Sequence, residues 1–443
     1  MPPAAETFIE TRATTSANVW KTLLAGGIAL TLFGAALAFG ATQSWSIYAC
    51  EAAFGFLFLA CWTRMVLHSD FTALRNPLLV PILLFAAVVA IQVAFGLSAY
   101  AAATRAEALR YVGYLCLFVT ASDAFRSKTV ANRFLAALVI FGTVVALEAV
   151  VQDLSSPGKI YWRIPVPASG TIFGPYASHG LFAGFMELVA GVAIVKWLTT
   201  PRSDSRWLLW GFCAILTGSS VILSRSRAGM LALVCEIIVV GVLLVRKSDR
   251  TSRTLAVLLA FLILCTSVWV GSGPLLHRAA SFFDVLNNDV NGHRLTIAAD
   301  GLRMFREKPL IGWGLDVFPV VYPRYRSFAT DNFINEAHND YVQVLVETGL
   351  AGGAAVALFM ILLYRSGLKR LYSRRRSSVN WPVAAALVGC TGMFVHNAFD
   401  FNFHIVGNAA LFYVLAAIAT APKIRGKTSS VSHVHVLDLT ENE

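Results

Sequence analysis

Uninterrupted apolar runs of about 20 residues recur along almost the whole chain, each long enough to cross a ~30 Å hydrocarbon core as a helix. This feature decides the fold class. Of the 443 residues, 57% are hydrophobic and only 14% charged, where soluble domains carry roughly 25% charged residues. A membrane β-barrel would alternate apolar and polar residues in strands of about 10, and no such alternation appears. The expected fold is therefore all-α: a polytopic integral membrane protein with about 12 transmembrane helices.

Spans are expected at roughly 21–39, 47–66, 78–97, 108–121, 133–151, 177–195, 207–223, 229–245, 254–272, 343–364, 381–396 and 404–421. They divide the chain into an N-terminal segment (1–20), nine spans (21–272), a long loop (273–342), three spans (343–421) and a polar, disordered tail (422–443). The set of loops containing both termini holds the majority of the 36 Lys and Arg residues, including "RSGLKRLYSRRR". Short loops carry the positive-inside signal and long ones count little. Both termini are thus placed in the cytoplasm, and the long loop, expected to carry amphipathic helices, on the outer face. The natural setting is a bacterial inner membrane with that face in the periplasm.

The net charge of +11 then reports topology and contact with anionic lipid, and no nucleic-acid role is expected. The first run, Thr22 to Phe39, exceeds the h-region of a signal peptide and reads as a retained helix. Seven cysteines all fall in apolar runs without a C-x-x-C pair, which predicts buried free thiols rather than disulfides or zinc.

Chemistry is expected where polar residues interrupt the outer ends of the spans. "SRSRAG" sets Arg225 and Arg227 on the outer face, against the positive-inside trend. Arginine is costly at membrane depth, and its planar fork suits bidentate contact with phosphate. The bland alternative is a pair of snorkelling interfacial side chains. In "NGHRLTIAADGLRMFREKPLIGWGLDVF", helical spacing aligns Leu295, Ala298, Ala299, Leu302 and Phe305 as the face of an amphipathic helix lying on the membrane, with Arg294 near its start. "GWG" predicts a turn.

"NEAHNDYVQVLVETGLAGG" places His338, Asn339 and Asp340 directly before the tenth span, with Gly349, Gly352 and Gly353 available for close helix packing. "HNAFDFNFH" puts Asp400 in the last outward turn, and "GPYASHG" puts His179 at the outer end of the sixth span. A lone interfacial histidine or turn aspartate is most often structural, so none of these decides alone. Glu51, Glu148, Glu187 and Glu236 lie within or beside spans, where a carboxylate is a functional candidate without an assignable partner. No H-e-x-x-H or D-x-D pattern is present, so neither a metal nor another cofactor is expected.

Taken together, "SRSRAG", the loop ending "KPLIGWGLDVF" and "HNDYVQVLVETGLAGG" resemble the O-antigen ligase / O-antigen polymerase superfamily of bacterial envelope proteins. "GPYASHGLFAGFMEL" looks like that family's stretch before its middle spans, although Ser178 and Gly180 stand where asparagines are expected. "HNAFDFNFHIVGNAALF" resembles a form found in exopolysaccharide-associated members. The likeness runs from about Gly174 to Leu411.

It implies a metal-independent glycosyltransferase using an undecaprenyl-diphosphate-linked glycan as donor and a glycan or lipid A–core as acceptor, working beside polysaccharide-assembly proteins in the bilayer. Within it His338, Arg227 and Arg294 are the expected catalytic residues: the histidine takes the acceptor's proton and the arginines stabilise the departing diphosphate. Arg225, Asn339, His179 and Asp400 are the expected substrate contacts. Ligase and polymerase roles both stay open, the exopolysaccharide-like last turn tilting the balance slightly toward a polymerase. The rival from another class is a flippase of lipid-linked glycan, which would need the arginines but no base.

Overall fold

The computed structural model describes residues 3–166, 171–245, 293–330, 333–373 and 380–422. The expected ninth span, Cys265, the basic cluster around Arg375 and the tail lie outside them. The described helices are α1 (Pro3–Leu37), α2 (Ser44–Leu67), α3 (Leu79–Ala94), α4 (Ala101–Ala124), α5 (Lys128–Ser155), α6 (His179–Thr199), α7 (Trp207–Leu223), α8 (Arg227–Val245), α9 (Arg294–Glu307), α10 (Phe318–Val321), α11 (Asp340–Tyr372), α12 (Trp381–His396) and α13 (Val406–Thr420). A small antiparallel hairpin, Lys159–Ile160 against Ile164–Pro165, sits between α5 and α6.

Every other expected span coincides with one of these helices. Among the described residues, Val19–Leu37, α2, α5, α6 and α11 are long and apolar enough to cross a membrane. Helices α3, α7, α12 and α13 are apolar but shorter. The span expected at 108–121 belongs to the longer α4, and its Arg110 is matched: 2.5 Å from Glu107 one turn away and 3.7 Å from Glu51 of α2. An arginine at depth is tolerated when it is paired in this way. At the α2–α4 end that faces away from the loops bearing the candidate residues, buried Arg64 lies 2.5 Å from Asp123 and Arg126 lies 2.6 Å from Asp70.

Helix α6 forms the centre, with 89% of its apolar window buried, and α8, α12 and α13 pack around it. Small residues set the spacing where apolar matching alone gives helices little preference. A Cβ at Gly389 would stand 3.1 Å from the Leu188 carbonyl oxygen, and one at Gly229 only 2.7 Å from Ala183.

The expected close packing by Gly349 is corrected by the backbone. At φ 64°, ψ −164°, Gly349 breaks α11 into two segments, in a region that essentially only glycine occupies. The broken turn frees polar backbone groups, and the loop 309–314 takes them up. Leu350 N donates to Pro309 O (2.7 Å), Ala351 N to Leu310 O (3.1 Å), Trp313 N to Val346 O (3.0 Å) and Gly314 N to Glu347 O (3.0 Å). From the other side, Gln92 of α3 donates to Ile311 O (2.6 Å) and Glu347 O (2.7 Å). The Glu347 carboxylate accepts from the N–H groups of Asp316 and Phe318. "GWG" is thus a strap seated in the broken helix.

Helix α9 hangs from this strap. Its buried face is Ile297, Gly301 and Met304, packed on Val317, Phe318 and Val346. The stripe expected to lie on the membrane is left outward, with Leu295 66% and Leu302 42% exposed.

Candidate active site

Two turns meet where the starts of α6 and α11 and the end of α12 come together. The first precedes α11. There Asn339 caps the helix, its side-chain oxygen accepting from Tyr341 N and Val342 N at 3.0 Å each, while its amide donates to Ala398 O (2.9 Å). The amide expected to touch substrate joins the two turns through one of its two N–H groups. His338 just before it takes a left-handed conformation, φ 49°, uncommon for a residue with a Cβ.

The second turn joins α12 to α13. Gly180 and Gly184, one helical turn apart on α6, leave the space it needs: a Cβ at Gly180 would lie 2.5 Å from Asp400 Oδ2, and one at Gly184 would strike Asn402. Asn402 N donates to Asn397 Oδ1, and Asn408 Nδ2 donates to Asn402 Oδ1 and Leu181 O. The turn is consequently held on a rigid amide ladder.

Asp400 is the hub. Its Oδ1 lies 3.7 Å from His338 Nδ1 and its Oδ2 lies 3.7 Å from His396 Nε2, both ion-pair separations rather than hydrogen bonds. Burial alone would raise its carboxyl pKa. The two imidazoles and the charge of Arg294 outweigh this and hold it far below the usual carboxylate range. His396, fully buried, sits 2.8 Å through Nδ1 from the equally buried Glu187 of α6. Arg294 opens α9 and donates to Phe399 O at 2.7 Å, which places its guanidinium on the same turn as Asp400. The His338 ring lies edge-on to Phe401 and is 30% exposed.

Arg225, also left-handed (φ 64°), reaches Asp153 of α5 at 3.4 Å and stays half exposed. Arg227 is the first residue of α8, whose start packs on α6 at Gly229–Ala183. His179 Nδ1 lies 2.9 Å from the Ser224 carbonyl oxygen, tying "SRSRAG" to the head of α6, one residue from the glycine that receives Asp400. His338, Asp400 and Arg294 are therefore gathered directly. His179 links this cluster to the backbone of "SRSRAG", which carries Arg225 and Arg227.

The sequence reading missed the histidines at either end of "HNAFDFNFH". His396 is one. His404 is the other: its Nδ1 lies 3.0 Å from Asp340 and its Nε2 lies 3.1 Å from Gln343 Nε2 and 3.7 Å from Glu336. Burial works to lower its pKa, but Glu336 and Asp340 raise it well above the ordinary value. Asp340, Gln343, Glu347 and His404 close one end of a cavity of about 440 Å³ between α3, α4, α11 and α13, otherwise lined by groups such as Phe85, Val89, Tyr111 and Phe359. The cavity and His338 thus lie on two sides of one helix start.

Residues 212–357 match a family model described as O-antigen ligase. The matched stretch contains Arg225, Arg227, Arg294 and His338, and leaves out Glu187, His396 and Asp400. No curated protein matches the chain.

Proposed function

The chain is related to the O-antigen ligases through residues 212–357, and we propose that it is a periplasm-facing glycosyltransferase. It moves a glycan from an undecaprenyl-diphosphate-linked donor to an acceptor hydroxyl. The observation that carries this reading is the convergence of an accessible histidine, a carboxylate at its Nδ1 and an arginine on one turn at the heads of apolar helices.

His338 is the base. With Asp400 facing Nδ1, Nε2 is the nitrogen left to accept the acceptor's proton as its oxygen attacks the anomeric carbon. Separations of 3.7 Å in a substrate-free site shorten as the reacting groups are drawn together. The leaving diphosphate gains negative charge at its bridging oxygen, and Arg294 and Arg227 answer it with preorganised positive charge, Arg225 serving as the outer contact. Arg294 spends one donor on Phe399 O and keeps the others of its five N–H groups for oxyanions. The apolar cavity beside the helix start suits the donor's lipid tail.

Purified protein in detergent, given lipid-linked glycan and candidate acceptors, should form a new glycosidic bond. Movement of the lipid across vesicles with no new bond would favour a flippase instead. In Arg294→Ala, turnover should fall about 10²-fold or more, the scale on which one lost oxyanion contact is felt. Wild-type turnover in that variant removes Arg294 from the mechanism. The orientation is tested by reporter fusions at Ser327 and Ser373, which should lie on opposite sides of the membrane, Ser327 outside. Cytoplasmic signals from both would abolish the periplasmic assignment.

A further inference from the structure

Two fully buried side chains outside the reacting groups form an ion pair directed at them. Glu187 projects from the middle of α6 and His396 from the last turn of α12, with Oε2 and Nδ1 2.8 Å apart and neither side chain exposed. The other ring nitrogen of His396 faces Asp400 Oδ2 at 3.7 Å, and the second oxygen of Asp400 faces His338 at the same separation. One carboxylate stands at hydrogen-bond distance and one at ion-pair distance on the two sides of the imidazole, an arrangement matched by a cationic ring with an N–H at each nitrogen. The buried chain Glu187–His396–Asp400 then carries one net negative charge, and it ends on His338.

The surroundings are built for this arrangement. Glu236 of α8 approaches the pair from the inner side, in space left by Gly191 and Gly392. Arg294 of α9 stands beyond Asp400, and Asp340 of α11 is bound through its own N–H to Asn397 O at 2.9 Å. Among the described residues these, with His338, are the charged and titratable groups that face the pair from the helices packed on it. Isolated buried ions are costly, and a pair placed only for stability would gain nothing from pointing its second ring nitrogen at the carboxylate that faces the base.

We propose that Glu187 and His396 are positioning residues for the proposed glycosyl transfer, fixing Asp400 as a carboxylate against His338. The assignment rests on His338 being the base. Neither residue touches substrate; both act through Asp400, as outer partners orient a working imidazole elsewhere. When His338 takes a proton, the single negative charge of the chain is neutralised rather than a new buried charge being created.

The test reads the His338 ring itself, by NMR of full-length protein with isotopically labelled histidine, assigned with H338Q. Asp400→Asn should lower the His338 pKa by removing its facing carboxylate. Glu187→Gln should shift it in the same direction by less, and that shift should largely vanish in the E187Q/D400N double variant. In turnover assays E187Q should lower kcat about tenfold at unchanged KM for lipid-linked donor, short of the full contribution of a positioned base.

His396→Gln probes the same link from the other side. Its amide can bridge Glu187 and Asp400 but carries no charge, so it too should displace the His338 titration and lower kcat at unchanged KM. A wild-type His338 titration in both variants, or a full E187Q shift persisting in the D400N background, would overturn the proposal. Should wild-type protein form no glycosidic bond, the enzyme reading fails, while the ring titration still decides whether the buried pair governs His338.

Discussion

Replacing His338 by alanine is expected to lower kcat by roughly 10²–10⁴-fold, the range a positioned general base contributes, with donor affinity unchanged. The two halves of this expectation have separate structural origins. The ring is partly exposed and faces Asp400, so its loss removes the proton acceptor. The diphosphate contacts are assigned to Arg227 and Arg294, neither of which hydrogen-bonds the His338 ring. Loss of an interaction made only in the transition state lowers kcat and kcat/KM together and spares binding. Truncation also vacates a left-handed position that alanine occupies no more readily than histidine, so a neutral isostere, His338→Gln, separates backbone effects from lost basicity. Both variants should be equally impaired. Turnover of H338A at the wild-type rate would dismiss His338 as the base.

The parts of this site legible in the sequence are those that break a strong local rule. Arg225 and Arg227 fall on the face expected to be poor in positive charge, and His338 and Asp400 interrupt apolar runs at expected span ends, so each announces itself within a few residues. The helices are legible for the same reason, because bilayer thickness sets one length scale for all of them. The Glu187–His396 pair is illegible: its members are separated by 209 residues, and each taken alone is a polar residue near a helix middle or end. Gly180 and Gly184 resemble ordinary small residues in a packed helix, and only the turn lying across them shows that they make room for Asp400 and Asn402. Asn339 shows a second role that the sequence hides. Its side chain is polar and outward in sequence, but the first turn of a helix needs its orphan N–H groups satisfied, and that demand claims it.

The misread glycine of α11 makes the sharpest case, because its role cannot be guessed from spacing and yet sets the geometry of the site. Gly349→Ala is expected to destabilise the protein by about 3 kcal/mol, combining the cost of a glycine-only conformation with the weakening of neighbouring hydrogen bonds. A Cβ there would collide with the Leu310 backbone, which is not a flexible side-chain end able to move aside. The strap 309–314 would be displaced, and with it the anchorage of α9 and of Arg294 at its head. Activity should therefore fall with stability, although Gly349 lies more than two helical turns from the base.

Gly353→Ala is the matched control. It lies in the same helix with ordinary backbone angles, and its Cβ would meet only a side-chain methyl of Leu345 at 2.8 Å. Relief of glycine's helical penalty, about 1 kcal/mol, offsets that contact, so its Tm should stay near wild type. Thermal unfolding in detergent, followed alongside turnover, compares the two. A G349A protein that keeps both the wild-type Tm and full turnover would show that the strap neither stabilises the bundle nor places Arg294. Loss of Tm with full turnover in the folded fraction would confine the strap to stability and leave the arginine held by its bond to Phe399 O alone.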